Sequence, residues 1–333
     1  MIVAALTDAR SAGVWVSGFS DPRLPLRARL LEMLGNAATA PAWGGTDEEL
    51  RAKAAAVAAG AEGLLLADLI AGEEAPERLG VRAVAGDVLD AVLPYLDDAD
   101  VRIGHAAVFA VTRCVQLLLP ECRGLMAGTA VADRVAVVVR RLRAVAGRDD
   151  GGVGAAAAYA LAELGADTAD LLDRPALAVR ACAALSPASA GDARAVAALE
   201  EALRHTPDND DWLDPGSRLQ RLRLHMEFAA AAGERAGGFD ELVPGALVVA
   251  TPEARTTGNG WGPLLRVAFP AGWQERPLTG NQREFLRRLV GNDSVWGGWA
   301  TDTPSRLAEV GLPPDREACR ALLRDRDRGA GGS

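Results

Sequence analysis

Four carboxylates stand within seven residues at Asp208, Asp210, Asp211 and Asp214, with Trp212 among them. Clustered carboxylate oxygens suit a hard divalent cation, but a calcium loop also carries a glycine at its sixth position and a closing glutamate. This stretch has neither, so it reads as a solvated acidic turn in which Asp210, Asp211 and Trp212 are candidates to meet a ligand or partner. Glycines between Thr256 and Pro263 suggest a phosphate cradle, yet no Gly-Lys-Ser or Gly-Lys-Thr follows and no strand precedes them. That reading fails. Cys114, Cys122, Cys182 and Cys319 lie too far apart for a paired-cysteine metal or redox motif, and neither GxSxG nor HExxH occurs. No metal and no cofactor is expected.

Five of the seven tryptophans, Trp212, Trp261, Trp273, Trp296 and Trp299, fall between residues 212 and 299 in a chain that is only 5% aromatic. Tryptophan suits places where a large flat group is partly buried and one N–H is bonded, in small cores and binding patches alike. Packing of an irregular C-terminal segment is the plainer role; if a surface binds, Trp212, Trp261 and Trp296 are where it is expected. His105 shares a stripe with Val101, Val108, Thr112, Val115 and Leu119, and His225 lies between two apolar faces. Both are candidate ligand contacts, and both spacings place them in packing. Five arginines between Arg134 and Arg148, with Arg140 on the polar face, make the most basic segment, which reads first as a solvated face.

The elements that carry these residues repeat. A short acidic turn, then valine, arginine and a small-residue helix occurs around Asp98, Val101 and Arg102, and again around Asp173, Val179 and Arg180; a third copy between them has Gly154 where the arginine is due. These units resemble HEAT repeats, whose turn aspartate and Val-Arg arginine recur in this way. Residues 277–283, 289–293 and 311–319 resemble the end of actinobacterial HEAT-repeat domain proteins. The resemblance implies an all-α, HEAT-like α-solenoid, an armadillo-type fold of stacked antiparallel helix pairs, with an irregular tryptophan-containing C-terminal cap. It also implies that Asp98, Arg102, Asp173 and Arg180 form a structural ladder between neighbouring turns. The interval from Val101 to Val153 exceeds the roughly 40 to 47 residues of one such unit, so a loop or extra helix is expected there.

The organisation expected is one elongated domain over 1–326, with an irregular segment 1–45, repeats 46–205, a helical C-terminal part with loops 206–326, and a disordered tail 327–333. Val14–Val16 fits a strand or the apolar edge of a short helix. A helix over 24–34 is expected to stop at Gly35, followed by a loop to residue 45. Thr46 and Glu49 form a capping box opening the next helix. Closing helices are expected over 279–290 and 314–323.

A net charge of −9 over 333 residues argues against a protein that grips phosphate backbones, and the near-exclusive use of arginine, with Lys53 alone, reads as codon bias. No apolar run approaches the roughly 20 residues of a membrane span, and residues 1–10 do not read as a secretory signal. A cytoplasmic location is expected. Three functions fit. The first is a non-catalytic scaffold whose concave face binds a protein or peptide. The second is a HEAT-like enzyme or small-molecule binder, of actinobacterial secondary metabolism for instance, with its site near the tryptophan-rich part. The third is a DNA-binding or DNA-repair protein, against which the acidity counts. The di-iron form of the fold needs His-Glu pairs, and His105, His205 and His225 are followed by Ala, Thr and Met. If Arg180 is structural, Arg180→Ala lowers the melting temperature; a melting curve superimposing on the parent's would count against that role.

Overall fold

The computed structural model describes residues 2–16, 24–43, 88–122, 130–148, 152–205, 218–251, 261–297 and 302–330. The capping box at Thr46, the helices expected between 46 and 87, the acidic loop 206–217 and the glycines at 258 and 260 lie outside them. Among the described residues the chain is all-α, apart from one antiparallel ladder pairing β1 (Trp15–Val16) with β2 (Leu24–Pro25). It divides into two compact units, the first ending at Ala188 and the second beginning at Ser189.

In the first unit, α1 (Ile2–Thr7) and the ladder precede α2 (Leu26–Trp43). Next come a 3-10 turn at Leu93–Asp97, α3 (Val101–Cys122), α4 (Ala130–Ala146), α5 (Gly152–Glu163) and α6 (Leu177–Ala183). Helix α2 does not stop at Gly35, and 37–43, expected as a loop, is helical. Gly35 serves another purpose: a Cβ there would lie 2.5 Å from Phe109 Cε1 and 3.2 Å from Ala110 Cα. The glycine lets α2 and α3 meet nearly backbone to backbone. Helix α5 reads GVGAAAAYALAE and buries Val153, Ala155, Ala157, Ala158, Ala160 and Leu161. A helix apolar all round must be covered all round, and α3, α4 and α6 pack against it. It ends at Gly165, φ +69°, where Gly165 N–H donates to Ala162 O and Ala166 N–H to Leu161 O, a left-handed cap only glycine adopts without strain.

Helix α4 lies along the segment before α3. Arg134 pairs with Asp90 at 3.1 Å, and Arg141 and Arg148 both pair with Asp97. The first two pairs each join residues 44 apart in sequence.

The second unit holds α7 (Ala193–Arg204), α8 (Arg218–Arg235), α9 (Val243–Val249), α10 (Gly262–Ala268), α11 (Gly280–Gly291), α12 (Asp293–Trp296), α13 (Thr303–Glu309) and α14 (Arg316–Ala330). Two rows result. Helix α7 packs on α9, α9 on α11 and α11 on α14, while α8 packs on α10 and α10 on α13. The rows run in register. Asn281 Nδ2 donates to Asp240 Oδ1, Arg288 Nη1 to Leu247 O and Asn292 Nδ2 to Ala250 O, spanning 41, 41 and 42 residues. In the other row Arg266 pairs with Glu309, 43 residues on. Helix α14 starts at Arg316, past Pro314, and continues to Ala330, beyond the 314–323 expected and into the tail 327–333 expected to be disordered; its Arg, Ala and Leu residues are strong helix formers.

Helix α9 has seven residues and no local side-chain cap, too short to stand alone when isolated helices below about 12 residues are marginal. Its neighbours close both its ends. Gly245 N–H, an orphan donor of its first turn, donates at 3.1 Å to Glu200 Oε1 on α7, and Asn292 collects the Ala250 carbonyl at the other end. Glu200 is 8% exposed and also pairs with Arg204 at 2.9 Å. Glu200→Ala leaves the amide without an acceptor and is expected to cost about 1–3 kcal/mol. Glu200→Gln, which keeps an acceptor oxygen, is expected to cost less. Urea titration of the two variants checks the order, and equal losses would dismiss the capping role.

Candidate functional site

Where aspartate precedes a helix, its side chain takes the free amides of the first turn. Asp100 does this for α3, accepting from Arg102 N–H at 3.0 Å, while Asp98 accepts from Asp100 N–H at 2.9 Å. The Arg102 guanidinium folds back on the same carboxylate, Nε at 3.0 Å and Nη2 at 2.8 Å, and lies 4.7 Å from the centroid of the Trp15 ring. Beside it Tyr95 Oη donates to Leu6 O at 2.8 Å, and the Arg27 guanidinium stacks 5.5 Å from the Tyr95 ring centroid. Arg27 Nε also donates to Ser11 Oγ at 2.9 Å. Two arginines, two aromatics and two aspartates thus converge where α1, the ladder and the starts of α2 and α3 meet. This corner brings together arginine, aromatic and carboxylate side chains from both ends of the first unit's N-terminal half.

Its electrostatics favour fastening over proton transfer. The hydrogen bonds from Arg102 hold the Asp100 carboxyl below the ordinary carboxylate range. Burial pushes the Tyr95 phenol up, against a smaller downward pull from Arg27. The tyrosine keeps its proton and donates it to a backbone carbonyl. Cation–π contacts here join the N-terminal elements to the first turn pair. The sequence placed Asp98 and Arg102 in a structural role; Trp15, Arg27, Tyr95 and Asp100 were missed, since nothing in their spacing says that residues some 80 positions apart would meet.

The remaining sequence candidates are not brought to one place. Asp210, Asp211 and Trp212 lie outside the described residues, as does Trp299. Trp261, read from the sequence as a contact for a partner, is 1% exposed and therefore belongs to the core. Trp296 donates Nε1–H to Leu289 O at 2.9 Å, and Trp273, buried, donates to Val310 O at 2.6 Å. Both indoles collect carbonyls at the ends of helices, so their enrichment serves this segment's packing. His105 and His225 are buried, as their stripes imply, and Thr112 Oγ1 donates to Val108 O at 2.7 Å.

Arg140 is exposed and donates Nε–H at 3.4 Å to Ala136 O of its own helix. The other four arginines of 134–148 meet acids or carbonyls: Arg134 Asp90, Arg141 and Arg148 Asp97, and Arg143 Asp170 at 3.7 Å together with Asp167 O. Arg180 Nη1 donates to Arg174 O at 2.9 Å and Pro175 O at 2.8 Å, closing the turn that leads into its own helix; Asp173 is exposed in that turn. No group of three or more metal-ligating side chains occurs among the described residues. Burial pushes the Cys114 thiol up to about 12 and the Cys319 thiol to about 11, so neither is a nucleophile near neutral pH. No helix among the described residues is long and apolar enough to cross a membrane.

Two measurements test these assignments. Trp273→Phe keeps the ring but strands the Val310 carbonyl, and is expected to cost about 1–3 kcal/mol in a urea titration; no measurable loss would refute the carbonyl role. The folded Asp100 carboxyl titrates below its ordinary 3.8. Its stabilising effect is therefore complete above that value and disappears as pH falls through the lower folded one. Asp100→Asn should be less stable than the parent at pH 7, with the gap narrowing towards pH 2. A gap of constant size would contradict the assignment.

No protein-family model, curated protein or solved structure matches this chain.

Proposed function

We propose that each unit is a stack of HEAT-like repeats, and that the chain is a non-catalytic scaffold binding a protein or peptide along the concave face of an α-solenoid. The observation that carries this reading is an offset of 41 to 45 residues that recurs among the cross-element bonds. Asp90 with Arg134, Asp97 with Arg141, Glu200 with Gly245, Asp240 with Asn281 and Arg266 with Glu309 are 44, 44, 45, 41 and 43 residues apart. A HEAT or armadillo unit is about 40 to 47 residues long. An element that bonds the element one repeat ahead, in parallel register, is what a stack of such units requires. A bundle around one centre has no reason to keep the offset.

Such a stack presents the outward helix faces of successive repeats as one extended surface, which suits an elongated polypeptide better than a compact small molecule. The DNA-binding alternative gains nothing from the basic segment, because most arginines of 134–148 face carboxylates and leave little charge for phosphates.

Selection of peptides from a random display library on the purified full chain, followed by hydrogen-exchange mapping of a bound complex, tests the proposal. Saturable binding is expected, with protection crossing helices of several consecutive repeats along one row. Failure to select any saturable binder, or protection confined to one loop, would overturn it. Retained binding at 0.5 M salt, about where exposed charges are screened beyond a few ångströms, separates this recognition from nonspecific attraction.

A further inference from the structure

We draw no further inference here: the strongest candidate, the buried indole N–H of Trp261 that finds no acceptor at the start of α10, is a single donor on a helix of seven residues, and nothing among the described residues shows what would accept its hydrogen.

Discussion

The structure depends on how the ends of short helices are closed. A helix leaves its first amides and last carbonyls without internal partners, and inside a protein each must find one elsewhere. Here α6, α9, α10 and α13 have seven residues each, so their unpaired ends are a large share of their backbone. Side chains of other elements supply the missing bonds. Thr168 reaches the Ala183 carbonyl at the end of α6, Gln282 that of Ala268 at the end of α10, Trp273 that of Val310 beyond α13, and Arg316 that of Val290 near the end of α11. A seven-residue helix persists in this chain because its neighbours complete it, which makes each short helix conditional on the elements beside it.

Close approach is the second half of the same arrangement. Alanine and glycine helices offer little side-chain area, so they gain by bringing axes together and making many short contacts. At Gly245 a Cβ would stand 2.7 Å from Leu203 Cβ and 2.9 Å from the Glu200 carbonyl oxygen, and Gly35 is as tight against α3. Near contact of α7 with α9 is also what places Glu200 within reach of the Gly245 amide. Packing and capping are coupled: a bulkier residue at 245 would push the helices apart and remove the bond as well. Surface ion pairs such as Arg266 with Glu309 add little free energy individually, since water screens them. Their value lies in fixing which turn faces which.

Much of this was legible in the sequence at the level of elements. The stripe through Val101, Val108 and Val115 announced α3, and the helix expected from Thr279 is α11, where Thr279 forms a capping box with Gln282. What could not be read was each residue's partner. A glycine after a helical stretch has one spelling whether it ends the helix or admits a neighbouring ring, so Gly35 looked like a stop. The 41 to 45 residue offset was equally hidden, because its bonds join unlike types: aspartate to arginine, glutamate to an amide, asparagine to a carbonyl. Tryptophan carries the same ambiguity. Trp261 and Trp296 share a composition signal, yet one is enclosed and the other partly exposed, and only tertiary context separates them.

That division of labour decides which positions the fold constrains. Side chains with directional chemistry at the helix ends are already committed: Trp273 and Trp296 to carbonyls, Asn292 to two elements at once, Arg141 and Arg148 to one aspartate. Replacing either tryptophan or Asn292 would open a helix end. Apolar positions on the outward helix faces carry no such duty. On α4, Ala136, Val137 and Arg140 are exposed, with Val137 39% exposed, although Val138 and Leu142 beside them are fully enclosed. An apolar residue there can change without disturbing a cap or a close contact. The positions that close no helix end and admit no neighbouring backbone are therefore the ones that the fold itself leaves free to vary.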